Sequence, residues 1–158
     1  MELKNNASIK FYDTSALLNG NYPTEKDWVS ATVLRELENI KIAGDRKNDE
    51  TKKAARKVAR FLLNNPPRVH VLSEKQWKKV KSKYSFTDTG DNHIIAELLE
   101  LKYSYPEIEL QTSDVCLHLL AQQFGINSHF AAINEGKGGL YTGYIDIEFF
   151  ESNLNKVY

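Results

Sequence analysis

Four acidic residues stand where the chain could use them together. Asp13 ends the run SIKFYD, Glu36 lies inside TVLRELENIK, Asp91 heads TGDNHIIAEL without its first two residues, and Asp114 closes LQTSD. Asp13 follows a β-branched and aromatic stretch from Ser8 to Tyr12 and precedes the small polar pair Thr14 and Ser15. Asp114 follows Glu109 to Thr112 in the same manner. Two aspartates placed directly after strands belong on one edge of a parallel sheet, the carboxyl edge, where open α/β sheets put their ligands. Asp91 would begin a helix packed beside them. Such convergence is costly, because two unit charges about 5 Å apart at an effective dielectric near 20 repel by roughly 3 kcal/mol. A divalent cation removes that penalty, and a donor set made only of carboxylate oxygens selects Mg²⁺ or Mn²⁺ over zinc.

Each of these residues also has an ordinary role. Asp13, Asp91 and Asp114 precede expected helices, and aspartate is a favoured N-cap that suits the positive helix end. Glu36 borders the apolar face of its helix, with Glu38 a rival on the other border. Only their combination argues for a shared centre.

The elements that would carry them alternate. A first strand leads into a short helix, Thr14 to Asn19, closed by Gly20, and a turn-rich connection follows from Tyr22 to Asp27. Ser30-Ala31-Thr32 opens a helix with Val33, Leu34, Leu37 and Ile40 at helical spacing. Gly44 to Glu50 reads as a polar loop. Thr51 to Asn64 is amphipathic, with Ala54, Ala55, Val58 and Leu62 on one face and Lys53, Arg56, Lys57 and Arg60 on the other. Arg68 to Leu72 reads as a second strand, Glu74 to Lys83 as a lysine-rich helix, and Glu109 to Thr112 as a third strand. Val115 to Phe124 is a helix stopped by Gly125, and His129 to Ile133 a fourth strand. Tyr144 to Phe150 reads as an edge strand within a Gly- and Tyr-rich tail, 136–158. This alternation predicts a parallel sheet with helices on both faces, in one domain spanning 1–158.

Composition narrows the class. With 158 residues, 21 Lys+Arg and 21 Asp+Glu, the chain can bury a core and has no global field to attract a polyanion. Any such binding needs local clusters, and two exist. Lys41 to Arg60 holds eight basic residues against three acidic, and Lys75 to Lys83 holds five lysines. The single cysteine, Cys116, excludes an internal disulfide, and no signal-peptide or membrane-spanning run is visible, so a soluble cytoplasmic protein is expected.

The segments FYDTSALL, VLRELENIK, DNHIIAELLEL and LQTSDVCLHLLAQQFGI together resemble a PIN domain, the small metal-dependent ribonuclease fold. AARKVARFL and GLYTGYIDI extend the likeness to the PIN modules of PhoH-like proteins. The resemblance implies a three-layer α/β/α sandwich with a mainly parallel sheet. Position by position it places the acidic ligands on Asp13, Glu36, Asp91 and Asp114, with Thr112 and Ser15 orienting them. Glu36 is chosen over Glu38 because it occupies the family's glutamate-leucine step. Where many relatives carry a further acid after the fourth ligand, this chain has Val115, Cys116 and Leu117, which leaves one or two ions open. The implied activity is endoribonucleolytic hydrolysis of single-stranded RNA with Mg²⁺ or Mn²⁺, with Lys53, Arg56, Lys57 and Arg60 contacting RNA phosphates.

Other readings of the resemblance are a non-catalytic RNA-binding or scaffold module and the toxin of a toxin–antitoxin pair. Its implied partners beyond RNA are a second copy of the chain, an antitoxin, or a fused ATPase module. Other chemistries fit less well. GKGG at 136–139 lacks the spacing of a phosphate-binding loop, and Asp13-Thr14-Ser15 lacks the second aspartate of haloacid-dehalogenase phosphatases.

Overall fold

A computed structural model describes residues 8–43 and 48–131. The element order is β1 (Lys10–Tyr12), α1 (Thr14–Leu18), β2 (Trp28–Ser30), α2 (Ala31–Lys41), α3 (Asp49–Asn64) and β3 (Arg68–His70). It continues with α4 (Glu74–Tyr84), α5 (Gly90–Ser104), β4 (Glu109–Thr112), α6 (Val115–Gln123) and β5 (Asn127–Phe130). All pairings are parallel and the strand order is β3-β2-β1-β4-β5. This is the α/β architecture expected, a parallel sheet between layers of helices.

Local chemistry accounts for the boundaries. Ser30, Asn48, Ser73 and Thr89 each take extended backbone and accept a backbone N–H from the first turn of α2, α3, α4 and α5 respectively. Gly20 (φ 91°) and Gly125 (φ 72°) supply the left-handed backbone just beyond the ends of α1 and α6, which a Cβ would strain. Ala55 and Val58 turn the apolar face of α3 inward, while Lys53, Arg56, Lys57 and Arg60 are exposed. In α5, Ile94 to Leu98 are buried without a break, so this helix is enclosed on more than one side.

Three expectations need correction. Trp28–Ser30, where no strand is expected and Ser30 reads only as opening the helix, is an interior strand pairing with both β1 and β3. Three residues are too few to show a period of two, and the capping serine masks the strand that it ends. The last described strand is Asn127–Phe130, which starts before the expected His129 because its register is set by pairing with Glu109–Thr112; Ile133, the expected end, lies outside the described residues. Asp49 and Glu50 belong to the first turn of α3, not to a loop. The expected strand Tyr144 to Phe150 lies outside the described residues.

The core runs along both sides of β1 and β4, through Phe11, Leu17, Val29, Val33, Val58, Ile95, Leu98, Leu110 and Leu117, all at most 1% exposed. Leu110→Ala should therefore lower the unfolding free energy by about 2–5 kcal/mol. Urea denaturation checks this, with the midpoint falling at unchanged slope.

Candidate active site

From β1 the chain turns one way through β2 to β3, and β4 and β5 lie on the other side. The strand order reverses between β1 and β4, the place where an open sheet leaves a crevice at its carboxyl edge. Asp13 immediately follows β1 and Asp114 comes two residues after β4, so these two acids flank the reversal.

Asp13 is 6% exposed. Its carboxylate accepts from Ser15 Oγ (2.9 and 3.1 Å), from the Ala16 backbone N–H (3.0 Å) and from Thr112 Oγ1 (2.7 Å). The Thr112 hydroxyl in turn accepts the backbone N–H of Asp114 at 2.9 Å, so one oxygen ties both acids together. Ser15 Oγ lies 3.2 Å from Thr112 Oγ1 and accepts the Ser113 backbone N–H at 2.8 Å. Burial drives the Asp13 pKa up to about 7 despite these donors, and the charge of Asp114 adds to the rise.

Asp114 is half-buried and caps α6, its Oδ1 accepting from Cys116 (2.9 Å) and Leu117 (3.2 Å). Capping is thus realised at Asp13 and Asp114. It is not the role of Asp91, because Thr89 caps α5 and Asp91 lies within the first turn. Partial withdrawal from water, followed by Asp114 and Glu36, raises the Asp91 pKa to about 6. Glu36 is exposed, and its Oε1 accepts a short hydrogen bond from Thr14 Oγ1. The rival Glu38 instead pairs with Lys41 at 3.1 Å.

The charges of these acids act on one another: Asp114 on Asp13, and Asp114 and Glu36 on Asp91. Among the described residues none of them has a lysine, arginine or histidine in an ion pair. Nor do three Asp, Glu, His or Cys side chains among those residues form a ready-made metal cluster. The donor set nevertheless fits a hard divalent cation, being all oxygen and, among the described residues, without a cationic partner in an ion pair.

Two features escaped the sequence. Thr14 holds Glu36, but nothing in Asp13-Thr14-Ser15 distinguishes which hydroxyl turns toward which acid. A second polar cluster occupies the same sheet edge nearer β3. Glu97, 0% exposed, accepts from Ser30 Oγ and lies 2.7 Å from His70 Nδ1, while His70 Nε2 lies 3.1 Å from Glu100. Burial alone would lower the His70 pKa, but Glu97 and Glu100 outweigh it and hold the value above 6.5. The signal was a glutamate embedded in the apolar run IIAELL. His93 is half-buried, edge-on to Trp77 at 4.3 Å and 2.7 Å from Asp88.

A family model described as PIN domain matches residues 12–131. The chain belongs to the PIN domain family, whose members are commonly nucleases and generally use divalent metal ions. Among solved structures, it is similar to a domain of a functionally unknown protein from Methanocaldococcus jannaschii DSM 2661. That likeness has 19% identity and a TM-score of 0.53, covers 85% of this chain and 99% of that one, and concerns the fold alone. A search of curated proteins gives no match. No helix among the described residues is long and apolar enough to cross a membrane.

The raised Asp13 pKa sets the sign of a pH effect. Between its ordinary value near 3.8 and about 7 the native state binds the extra proton, so stability falls as pH rises through that window. The size is on the order of 4 kcal/mol. Without divalent cation the melting temperature should fall from pH 5 to pH 8. Mn²⁺ should restore it at pH 8, and Asp13→Asn should blunt both responses; calorimetry checks each. Glu97→Gln should move the His70 ring titration, followed by NMR, down toward 6.5.

Proposed function

We propose that this PIN domain is an Mg²⁺- or Mn²⁺-dependent endoribonuclease acting on single-stranded RNA, with Asp13, Glu36, Asp91 and Asp114 as its acidic set. The observation that carries the reading is the buried Asp13 carboxylate, linked to Asp114 through the Thr112 hydroxyl and lacking a cationic partner among the described residues. Asp13 and Asp114 would hold the principal ion, and Asp91 and Glu36 would complete its surroundings directly or through water. A bound ion lowers the pKa of its water and neutralises charge on the phosphoryl oxygens.

The chain's own groups supply the rest. Ser15 and Thr112 hold the Asp13 oxygens in place before any ligand arrives, and Thr14 does the same for Glu36. The exposed row Lys53, Arg56, Lys57 and Arg60 on α3 offers phosphate contacts. That basic helix, in the segment AARKVARFL, also supports placing the chain near the PhoH-like PIN modules.

Purified protein should cleave end-labelled single-stranded RNA with Mn²⁺ or Mg²⁺ and not with chelator, as read on a sequencing gel. Asp13→Asn and Asp114→Asn should reduce cleavage to background, and Thr112→Val should lower it by roughly 10–100-fold. Cleavage that survives chelation, or equals wild type in Asp13→Asn, overturns the assignment.

A further inference from the structure

A cleft of about 390 Å³ lies between α4 and α5, away from the carboxylates. One stripe of α4 supplies Lys79, Val80 and Lys83, and one stripe of α5 supplies Leu99, Lys102 and Tyr103. Tyr84 completes the wall. Among the described residues no carboxylate lines the cleft, and none forms an ion pair with Lys79, Lys83 or Lys102. Lys83 Nζ lies 5.2 Å from the Tyr84 ring centroid, and Lys102 spends one of its three donors on the Gly125 carbonyl. Tyr103 is 86% exposed, a large aromatic ring left in water beside an apolar floor. By contrast Trp77 of α4 is occupied by His93 and Phe86, and Tyr84 by Phe86 (5.6 Å) and, edge-on, by Phe124 (5.0 Å).

Lysines in the last turns of helices serve the helix dipole anyway. That role does not explain why they ring an apolar cleft carrying two tyrosines. A flat apolar surface with aromatic rings and a cationic rim matches an unpaired nucleobase with its flanking phosphates. An anionic peptide would satisfy the lysines but would leave the exposed Tyr103 ring without a stacking partner. The position also fits. At 1.5 Å per residue, Leu99 and Tyr103 lie about 12 and 18 Å along α5 from Asp91, a span that a few nucleotides of extended strand cover.

We propose that the α4–α5 cleft is a nucleotide subsite for the RNA strand whose cleavage the carboxylates perform, so it rests on the nuclease reading. One unpaired base stacks on Tyr103 above Val80 and Leu99, with Tyr84 closing the wall, and the neighbouring phosphates lie against Lys79, Lys83 and Lys102. A base still paired in a duplex has no free face to offer, so the subsite selects single strands.

The test is fluorescence anisotropy of the full chain with a labelled 12-nucleotide oligouridylate and metal chelated, so that cleavage plays no part. Tyr103→Ala should weaken binding roughly tenfold. Lys79→Glu with Lys83→Glu should weaken it further and make the log–log salt slope shallower by about 1.4, at about 0.7 for each lost phosphate contact. Both variants change exposed side chains and should melt as the wild type does. A blunt-ended duplex of the same length should bind more weakly than the single strand. Unchanged affinity in both variants, or no measurable binding by wild type, overturns the subsite. So does loss of binding only in Arg56→Glu with Arg60→Glu. Equal binding of poly-glutamate, or displacement by uridine monophosphate at the strand's own affinity, also overturns it, reducing the cleft to a cationic face or a free-nucleotide site. Binding that depends on the cleft in a protein that never cleaves RNA supports the subsite and refutes the nuclease reading alone.

Discussion

The structure turns on a carboxylate placed where water does not reach. Asp13 lies at the reversal point of the sheet, and its oxygens meet hydroxyls from its own turn and from the neighbouring strand. Those donors are neutral, so they orient the group without cancelling its charge. A fold that only needed a helix cap could use the same aspartate at the surface, where ionisation is cheap. Burial of this acid beside Asp114 is tolerable in the absence of a ligand because Asp13 can keep its proton up to about pH 7. The same arrangement makes the pocket receptive to any small cation able to replace that proton.

The contrast with Glu97 sharpens this point. Glu97 is more deeply enclosed than Asp13, yet it has Ser30 and His70 as partners. A histidine flanked by two glutamates answers their charge from within the chain. The acids beside β1 and β4 receive no such answer among the described residues. Two acidic clusters thus share one sheet edge, one internally compensated and one not. The compensated cluster is suited to holding β2, β3 and α5 together; the other is suited to binding something.

Much of this was legible in the sequence because the strongest signals are local. Glu109–Thr112 shows as a strand through its apolar centre and the helix that follows, and its bounds are those expected. The Asp13 and Asp114 turns were legible for the same reason. Asp91 lies at the start of its helix as expected, but the capping role weighed for it falls to Thr89, since both are acceptable caps and only backbone geometry chooses between them. Trp28–Ser30 was invisible as a strand because its identity comes from two neighbours distant in sequence. The Ser30–Glu97–His70 cluster was hidden likewise, since its members lie 67 and 27 residues apart. Pattern reading finds what adjacent residues determine and misses what only tertiary pairing decides.

The Thr112 hydroxyl reaches Asp13 across a sequence separation of 99 residues. On the ribosome, Asp13 emerges long before the strand that completes its surroundings, since synthesis adds residues from the amino end at about 5–20 per second. The acidic centre therefore cannot exist in a partly made chain, whatever helices have already formed. Whatever the acidic centre binds, a nascent chain cannot hold it there until the strand carrying Thr112 has emerged and paired with β1.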